Sequence, residues 1–348
     1  MKITTITVSS RTRRGIIGDA IRSVPWADEH LVVEMAGGDD DTLEVAREAA
    51  GGKFRIVIAP AGMPFDEIRN FGLEQARGDW GCILDTDWRM RSGDVDVRAV
   101  LESTPIDQHA ISVMAHDFSY GRPIFFRLPA AGRFSGTTHE RYSLKVPWVM
   151  RGVRFYEIPK TAEQLAGAFG GDLAGLTRQA AEDPQEPRWL FYLGYRAQHL
   201  KNYPAAINYY KRAIALQEDP EEKGWTLYCL ATCLFLNGNI VAALERCSEG
   251  NRLGGDFPEH PWLAGLCCLH LGDPAAAMEW EGEAIRHSWT RAGADPYSQA
   301  RLKHLTCFFE APYSVLVQVH RAMGQEHLAL MAEMGYHRML QAKQELLK

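Results

Sequence analysis

Short runs of β-branched and aliphatic residues alternate with helical apolar stripes over the first part of this chain. Residues 3–8 (Ile-Thr-Thr-Ile-Thr-Val) predict a first strand because all are β-branched. Apolar runs predict further strands at 31–33, 54–58 and 81–84, and apolar residues spaced three or four apart predict helices at 16–24, 39–49 and 65–76. This alternation with short connections predicts a parallel sheet covered by helices.

The pattern changes after residue 87. It predicts a short helix at 95–101 and strands at 110–114 and 124–128, the second strand forming one arm of a hairpin. From about residue 160 the chain is rich in alanine and leucine and is predicted to be helical.

An internal repeat begins at Glu186-Pro187. The alanines Ala206, Ala243 and Ala277 follow one another at intervals of 37 and 34 residues, each within a pattern of large and small residues typical of tetratricopeptide repeats. A degenerate fourth unit is predicted at 312–332. Because one helix pair cannot bury its apolar face alone, we expect the units to stack.

Composition narrows the class of protein. The 348 residues are 46% hydrophobic and 24% charged, which is typical of a globular protein large enough for two domains. The net charge of −6 argues against a general nucleic-acid or membrane binder, although a local basic groove stays open. The seven cysteines form no CxxC pair, so structural zinc is not expected. No signal-peptide pattern or membrane-length apolar run occurs, and we therefore expect a cytoplasmic protein.

Two acids follow the predicted strand at 81–84. Asp85 and Asp87 lie two positions apart, so an extended backbone would place both side chains on the same side, about 6–7 Å apart. In open α/β sheets ligands bind at the carboxyl ends of strands. Mg²⁺ and Mn²⁺ accept carboxylate and phosphate oxygens, so this pair is a candidate metal–diphosphate site.

The order of several short motifs carries a family resemblance. These motifs are Arg69-Asn70, Ala76-Arg77-Gly78-Asp79-Trp80, Asp85-Thr86-Asp87, and Gly136 followed by His139-Glu140. In this order they resemble family 2 glycosyltransferases of the GT-A fold, and in particular the peptide S/O-glycosyltransferase branch that carries C-terminal tetratricopeptide repeats. The resemblance implies a Rossmann-like, mostly parallel α/β GT-A domain at 1–158. A helical linker at 159–186 and an all-α repeat domain at 187–348 would follow.

The resemblance also implies an activity. It predicts inverting, metal-dependent transfer of a hexose from a nucleotide-diphosphate sugar, a UDP-sugar in the first instance, with Mn²⁺ or Mg²⁺. Asp87 would hold the metal, Asp85 would contact the metal or the ribose, and His139 would complete the coordination. The general base would be Glu140 or Asp117. Alternatively, Glu140 would form a salt bridge with Arg69 or Arg141.

The remaining predicted ligands lie on the donor side. Arg69 and Asn70 would either contact the nucleotide sugar or brace the two aspartates. Ser9, Arg11 and Glu34 would surround the nucleoside. Met35 stands where the family usually has an aspartate, so the donor base stays open.

Three hypotheses about the partner of this protein remain. A peptide or protein acceptor held by the repeats is the leading one, and a hydroxylated DNA base is an alternative because arginines recur between residues 122 and 154. The third hypothesis is a catalytically decayed transferase that serves as a protein-binding scaffold. The repeat domain is also a candidate surface for a homodimer, and no membrane partner is expected.

Overall fold

A computed structural model describes residues 1–9, 16–35, 40–118, 120–136, 138–159, 173–253, 257–292 and 304–347. These residues form two compact units, one made of the described residues up to 159 and one made of those from 173 onward.

The first unit is built on an eight-stranded sheet. Its strands are β1 (Ile3–Ser9), β2 (Glu29–Glu34), β3 (Phe54–Ile58), β4 (Trp80–Ile83), β5 (Trp88–Arg91), β6 (Ala110–Ala115), β7 (Gly121–Arg127) and β10 (Val149–Glu157). Between β7 and β10 in the chain, β8 (Phe134–Ser135) and β9 (Arg141–Tyr142) form a small separate sheet. The spatial order is β3-β2-β1-β4-β7-β6-β10-β5.

The large sheet is mixed but mostly parallel, as predicted, because only β7 and β5 run against its other six strands. Strands β3, β2, β1 and β4 run parallel, as predicted. The hairpin of β6 and β7 then inserts β7 antiparallel to β4, and β5 returns antiparallel to β10 at the far edge. The sequence predicted neither β5 nor β10, and these two strands end the sheet on the side away from β3.

Helices pack on the sheet through small residues. They are α1 (Ile17–Arg22), α2 (Asp40–Ala50), α3 (Phe65–Gln75) and α4 (Val97–Ser103). Gly72 lets α3 approach β1 closely, because a Cβ at this position would lie 2.5 Å from Cγ2 of Ile6. The interior next to α3 contains Ile6, Leu31 and Ile68, all 1% exposed or less. This contact fixes the position of Arg69 and Asn70 beside the sheet.

The second unit consists of helices, as predicted. They are α5 (173–182), α6 (Pro187–His199), α7 (Tyr203–Leu216), α8 (Pro220–Leu236), α9 (Ile240–Arg252), α10 (Glu259–His270), α11 (Pro274–Ala292), α12 (Leu305–Phe308), α13 (Ala311–Ala322) and α14 (Glu326–Leu347). The pairs α6–α7, α8–α9 and α10–α11 are the predicted repeat units, and each of their key alanines, Ala206, Ala243 and Ala277, is fully buried. The fourth pair is α13–α14, and its second helix continues to Leu347 instead of ending near residue 332.

Side-chain caps mark the starts of these helices. Glu186, Asn202 and Asp219 each accept a hydrogen bond from a backbone N–H in the first turn of α6, α7 and α8. Successive pairs then stack, with α7 against α8, α9 against α10 and α11 against α13. The first helices also contact one another, α6 with α8, α8 with α10 and α10 with α13, so they lie on the closely spaced inner side of the stack.

None of the described helices has the length and apolar composition required to span a membrane.

Candidate functional site

Polar side chains collect at the carboxyl ends of β1, β2 and β4. Ser9 and Glu34 close β1 and β2 and face each other in register. They are 1% and 4% exposed, and the Ser9 hydroxyl has no hydrogen-bond partner among the described residues. A buried hydroxyl and a buried carboxylate cost free energy unless a ligand or the protein compensates them. The structure therefore places these two predicted donor-side residues at the edge of the sheet that the sequence indicated.

Arg69 is the centre of the site. Its Nε donates to Oε1 of Glu140 at 2.5 Å, and its Nη2 lies 2.9 Å from Oδ1 of Asp85. Its side chain is only 4% exposed and stacks over the ring of Phe65, 4.9 Å from the ring centre. Burial by itself would lower the pKa of Arg69, but the charges of Asp85 and Glu140 outweigh burial and hold it above its ordinary value. The three groups form a largely buried ion triad.

The two aspartates occupy a tight turn, which corrects the prediction that they share one side of an extended strand. Strand β4 ends at Ile83, and the backbone N–H of Trp88 donates to the carbonyl of Asp85 at 3.0 Å. Asp85 then pairs with Arg69, whereas the charge of Asp87 acts on Arg89. The chain turns here because β5 must fold back to pair with β10.

Asn70 has a structural contact that the sequence did not indicate. Its amide Nδ2 donates to the Phe134 carbonyl at 2.9 Å, and its Oδ1 accepts from the Phe134 N–H at 2.8 Å. About one turn earlier on α3, Asp66 accepts from the N–H of Gly136 at 2.9 Å. These bonds attach the segment around β8 to α3, and so they bring Glu140 to Arg69.

The other predicted site residues lie around this centre or outside the described residues. His139 is half-buried in a turn with a positive φ of 54°, directly before Glu140. Asp117 lies in the turn between β6 and β7, where its charge acts on Tyr120. Arg11 lies outside the described residues. The choice between Glu140 and Asp117 as general base stays a prediction, and Glu140 makes the Arg69 salt bridge that was its alternative.

The metal site predicted at Asp85, Asp87 and His139 stays a prediction. No group of three histidine, cysteine, aspartate or glutamate side chains among them is placed to hold a metal ion. Asp85 is instead neutralised by Arg69.

The repeat unit presents a second candidate surface. Tyr195 on α6, Thr232 and Phe235 on α8, and Trp262 and Leu266 on α10 are all partly exposed. Position 195 corresponds to 232 and 266 under the repeat spacing, and the three helices contact one another in series. These side chains therefore form a row, the "inner row", along the first helices.

One end of the inner row carries charge and further aromatic rings. The guanidinium of Arg188 lies over the Tyr192 ring, 5.1 Å from its centre. The rings of Tyr195 and His199 meet edge to face at 4.4 Å, and burial raises the pKa of Tyr195 and lowers that of His199. The end at α6 thus combines apolar rings with a cation, a composition typical of protein interfaces.

Comparison with known proteins finds similar chains among solved structures. No family model matches the chain, and no curated protein matches it. Among solved structures, the chain is similar to MamA, with 16% identity, a TM-score of 0.40, and coverage of 54% of this chain and 98% of that protein. It is also similar to TTC0263, a thermophilic TPR protein in Thermus thermophilus, with 16% identity over 52% of this chain and 88% of the other, and a TM-score of 0.38. A third match is YrrB, described as a TPR protein with an unusual peptide-binding site, with 16% identity over 49% and 86% and a TM-score of 0.33.

These findings correct the family resemblance drawn from the sequence motifs. The matched structures include TPR proteins, and no family model supports membership of glycosyltransferase family 2. The repeat part of the prediction is confirmed by the stacked helix pairs. The chain is a mixed α/β unit followed by a TPR-type helical repeat unit.

Proposed function

We propose that this chain is a protein-binding scaffold that holds a polypeptide segment of another protein along the inner row. The observation that carries the proposal is the direct contact between the first helices of successive pairs, α6–α8–α10–α13. Stacked repeats of this kind provide an extended surface built from equivalent positions.

The chemistry of the inner row supports a polypeptide ligand. Tyrosine and tryptophan offer a large apolar area and one polar group with little loss of side-chain entropy on binding. Tyr195, Phe235 and Trp262 remain partly exposed in the folded chain. Such rings gain contact area when an extended peptide covers them, and they do not require a charged ligand.

The proposal is tested with a displayed library of random peptides, selected on the purified chain. Tyr195→Ala combined with Phe235→Ala should weaken binding of the selected peptides at least about tenfold, because two of the three aromatic rings of the inner row are removed. Val241→Ala combined with Met278→Ala is the matched control. These residues are 59% and 38% exposed and lie on the second helices, so binding should be retained. Selection of peptides that bind both variants equally would reject the inner row as the binding surface.

A second candidate function concerns the first unit. We propose that the sheet edge with Ser9 and Glu34 binds the nucleoside diphosphate part of the donor that the sequence predicted. The buried Ser9 hydroxyl, which has no hydrogen-bond partner in the part of the chain that the structure describes, supports this proposal, since open α/β sheets bind ligands at this edge. Transfer of a hexose, and the use of Mn²⁺ or Mg²⁺, stay predictions that neither the geometry nor the comparisons test.

A further inference from the structure

The last helix exposes an apolar patch on the face that points away from its neighbour. Leu330, Met331 and Met334 on α14 are 52%, 63% and 73% exposed. Ala329 and Ala332, on the opposite face, are buried where α14 packs against α13. We call the exposed residues 326, 327, 330, 331, 334, 337 and 338 the α14 face.

The α14 face is symmetric about the level of residue 332. Leu330 and Met334 lie two positions to either side, and His327 and His337 lie five positions to either side. Glu326 and Arg338, of opposite charge, lie six positions to either side, so they are separated by about 18 Å along the helix.

This symmetry is what a two-fold axis requires. When two α14 helices pack antiparallel with the axis at residue 332, Leu330 of one copy faces Met334 of the other. At the same time, Glu326 of each copy lies at the same level along the helix axis as Arg338 of its partner. A surface that is complementary to itself under a two-fold rotation favours a second copy of the same chain over an unrelated protein.

The charges around the face allow this pairing. Glu326 lies 3.5 Å from Arg321 of its own chain, and Arg321 also contacts Glu333. Within the described part of the chain Arg338 makes no ion pair, so it is available to a carboxylate of a partner. The Glu326 side chain is 65% exposed and keeps oxygen surface for a second cation.

We propose that the chain forms a two-fold homodimer through the α14 face, in which Leu330, Met331 and Met334 are covered and Glu326 pairs with Arg338 across the axis. Three apolar side chains per copy make a small interface, so the dissociation constant should be on the order of micromolar. This proposal concerns a face of the repeat unit separate from the inner row, and it does not depend on peptide binding.

Sedimentation velocity tests the proposal on the full chain, with reductant, from about 1 to 200 µM. Met331→Glu combined with Met334→Glu should leave only monomer over this range, because burial of two carboxylates per copy opposes association. Val241→Glu, an exposed apolar position on α9, is the control and should dimerise like the wild type. Circular dichroism should show unchanged helix content in both, since all three positions are exposed.

Charge reversal tests the register. Glu326→Lys and Arg338→Glu should each weaken dimerisation about tenfold, because each replaces two attractive contacts by two repulsive ones. The double reversal restores opposite charges and should return the dissociation constant to within about threefold of the wild type. A wild type that stays monomeric throughout, a dimer that survives Met331→Glu/Met334→Glu, or a double reversal no better than the single ones would each overturn the proposal.

Discussion

The guanidinium of Arg69 on α3 holds the carboxylate of Glu140, 71 residues further along the chain, by a hydrogen bond of 2.5 Å. The same guanidinium holds Asp85 at the end of β4. Arg69 therefore joins a helix, a strand end and the segment after β8 at one buried point. An ion triad of this kind is sensitive to the loss of one partner, because the remaining charges stay buried.

Arg69→Met should destabilise the chain by about 3–5 kcal/mol, because Glu140 and Asp85 lose the buried cation that both contact. Urea unfolding followed by tryptophan fluorescence measures the change. The triple variant Arg69→Met/Asp85→Asn/Glu140→Gln removes all three charges and should recover at least half of the loss. A cost below about 1 kcal/mol for Arg69→Met would show that the triad is not buried in solution.

The nucleoside proposal predicts a ligand-dependent gain in stability. UDP at a hundredfold excess over its dissociation constant should stabilise the folded chain by about 2.7 kcal/mol, provided that it does not bind the unfolded chain. Ser9→Val should reduce this gain, since the buried hydroxyl is replaced by a side chain that cannot hydrogen-bond. Thermal unfolding with a panel of nucleoside diphosphates gives the measurement.

The metal prediction is tested in the same assay. If Asp87 holds a divalent cation for the diphosphate, the gain should require Mn²⁺ or Mg²⁺ and should vanish in Asp87→Ala. Asp107→Ala is a suitable comparison because Asp107 is exposed in the turn before β6 and belongs to none of the predicted sites. A gain that is independent of metal would remove Mn²⁺ and Mg²⁺ from the prediction, and the absence of any gain would remove the nucleotide as well.

Elements with a strong local pattern could be predicted from the sequence. The strand at 54–58 has the predicted bounds, because its β-branched run is bounded by glycine and proline. Strand β10 was missed because Arg151, Gly152 and Arg154 interrupt its apolar alternation. It forms nevertheless, since β5 and β6 hydrogen-bond to it on both sides.

The candidate site was predicted less completely than the fold. The sequence placed Asp85 and Asp87 at the end of a strand but could not show that the chain turns there, because that turn depends on the pairing of β5 with β10. Arg69 and Glu140 were recognised as charged residues, but their pairing was one of several alternatives. A contact across 71 residues depends on how α3 and the β8 segment pack, which local pattern does not encode.

A close contact between repeats gives a prediction for Gly250. A Cβ at Gly250 in α9 would overlap the ring of His260 in α10, and that ring is fixed by a 3.0 Å hydrogen bond between Nε2 and the Gly224 carbonyl. Gly250→Ala should therefore destabilise the chain by about 1–3 kcal/mol, although alanine favours a helix.

Gly282 in α11 is the matched control, because a Cβ there would meet only the end of Arg286 at 3.8 Å. Gly282→Ala should stabilise the chain by up to about 1 kcal/mol, as expected for a helical position with free space. Urea unfolding of both variants measures the difference. Equal effects for the two substitutions would mean that α9 and α10 are further apart in solution than the structure places them.

Glu281 occupies a core position of the third repeat and gives a prediction about pH. It corresponds in the repeat spacing to Tyr210 and Cys247, which are also fully buried. It is 0% exposed, and neither carboxylate oxygen has a hydrogen-bond partner among the described residues. Burial raises the pKa of Glu281 to about 10 from an ordinary value of 4.5.

The folded state therefore binds this proton more tightly than the unfolded state does. The stability contributed by neutral Glu281 is fully present below pH 4.5 and falls as the pH rises from 4.5 to 10, by up to about 1.4 kcal/mol for each pH unit. Glu281→Gln cannot ionise, so it should match the wild type at pH 5 and exceed it by on the order of 2–4 kcal/mol at pH 8.

Urea unfolding of both proteins at pH 5, 6.5 and 8 isolates this group, because the other titratable groups are common to the two and cancel in the difference. Glu279→Gln, at an exposed position two residues earlier on α11, should show no such trend with pH. If the advantage of Glu281→Gln stayed constant between pH 5 and 8, Glu281 would not be held neutral in the folded repeat, and its carboxylate would have to reach water or a cation in solution.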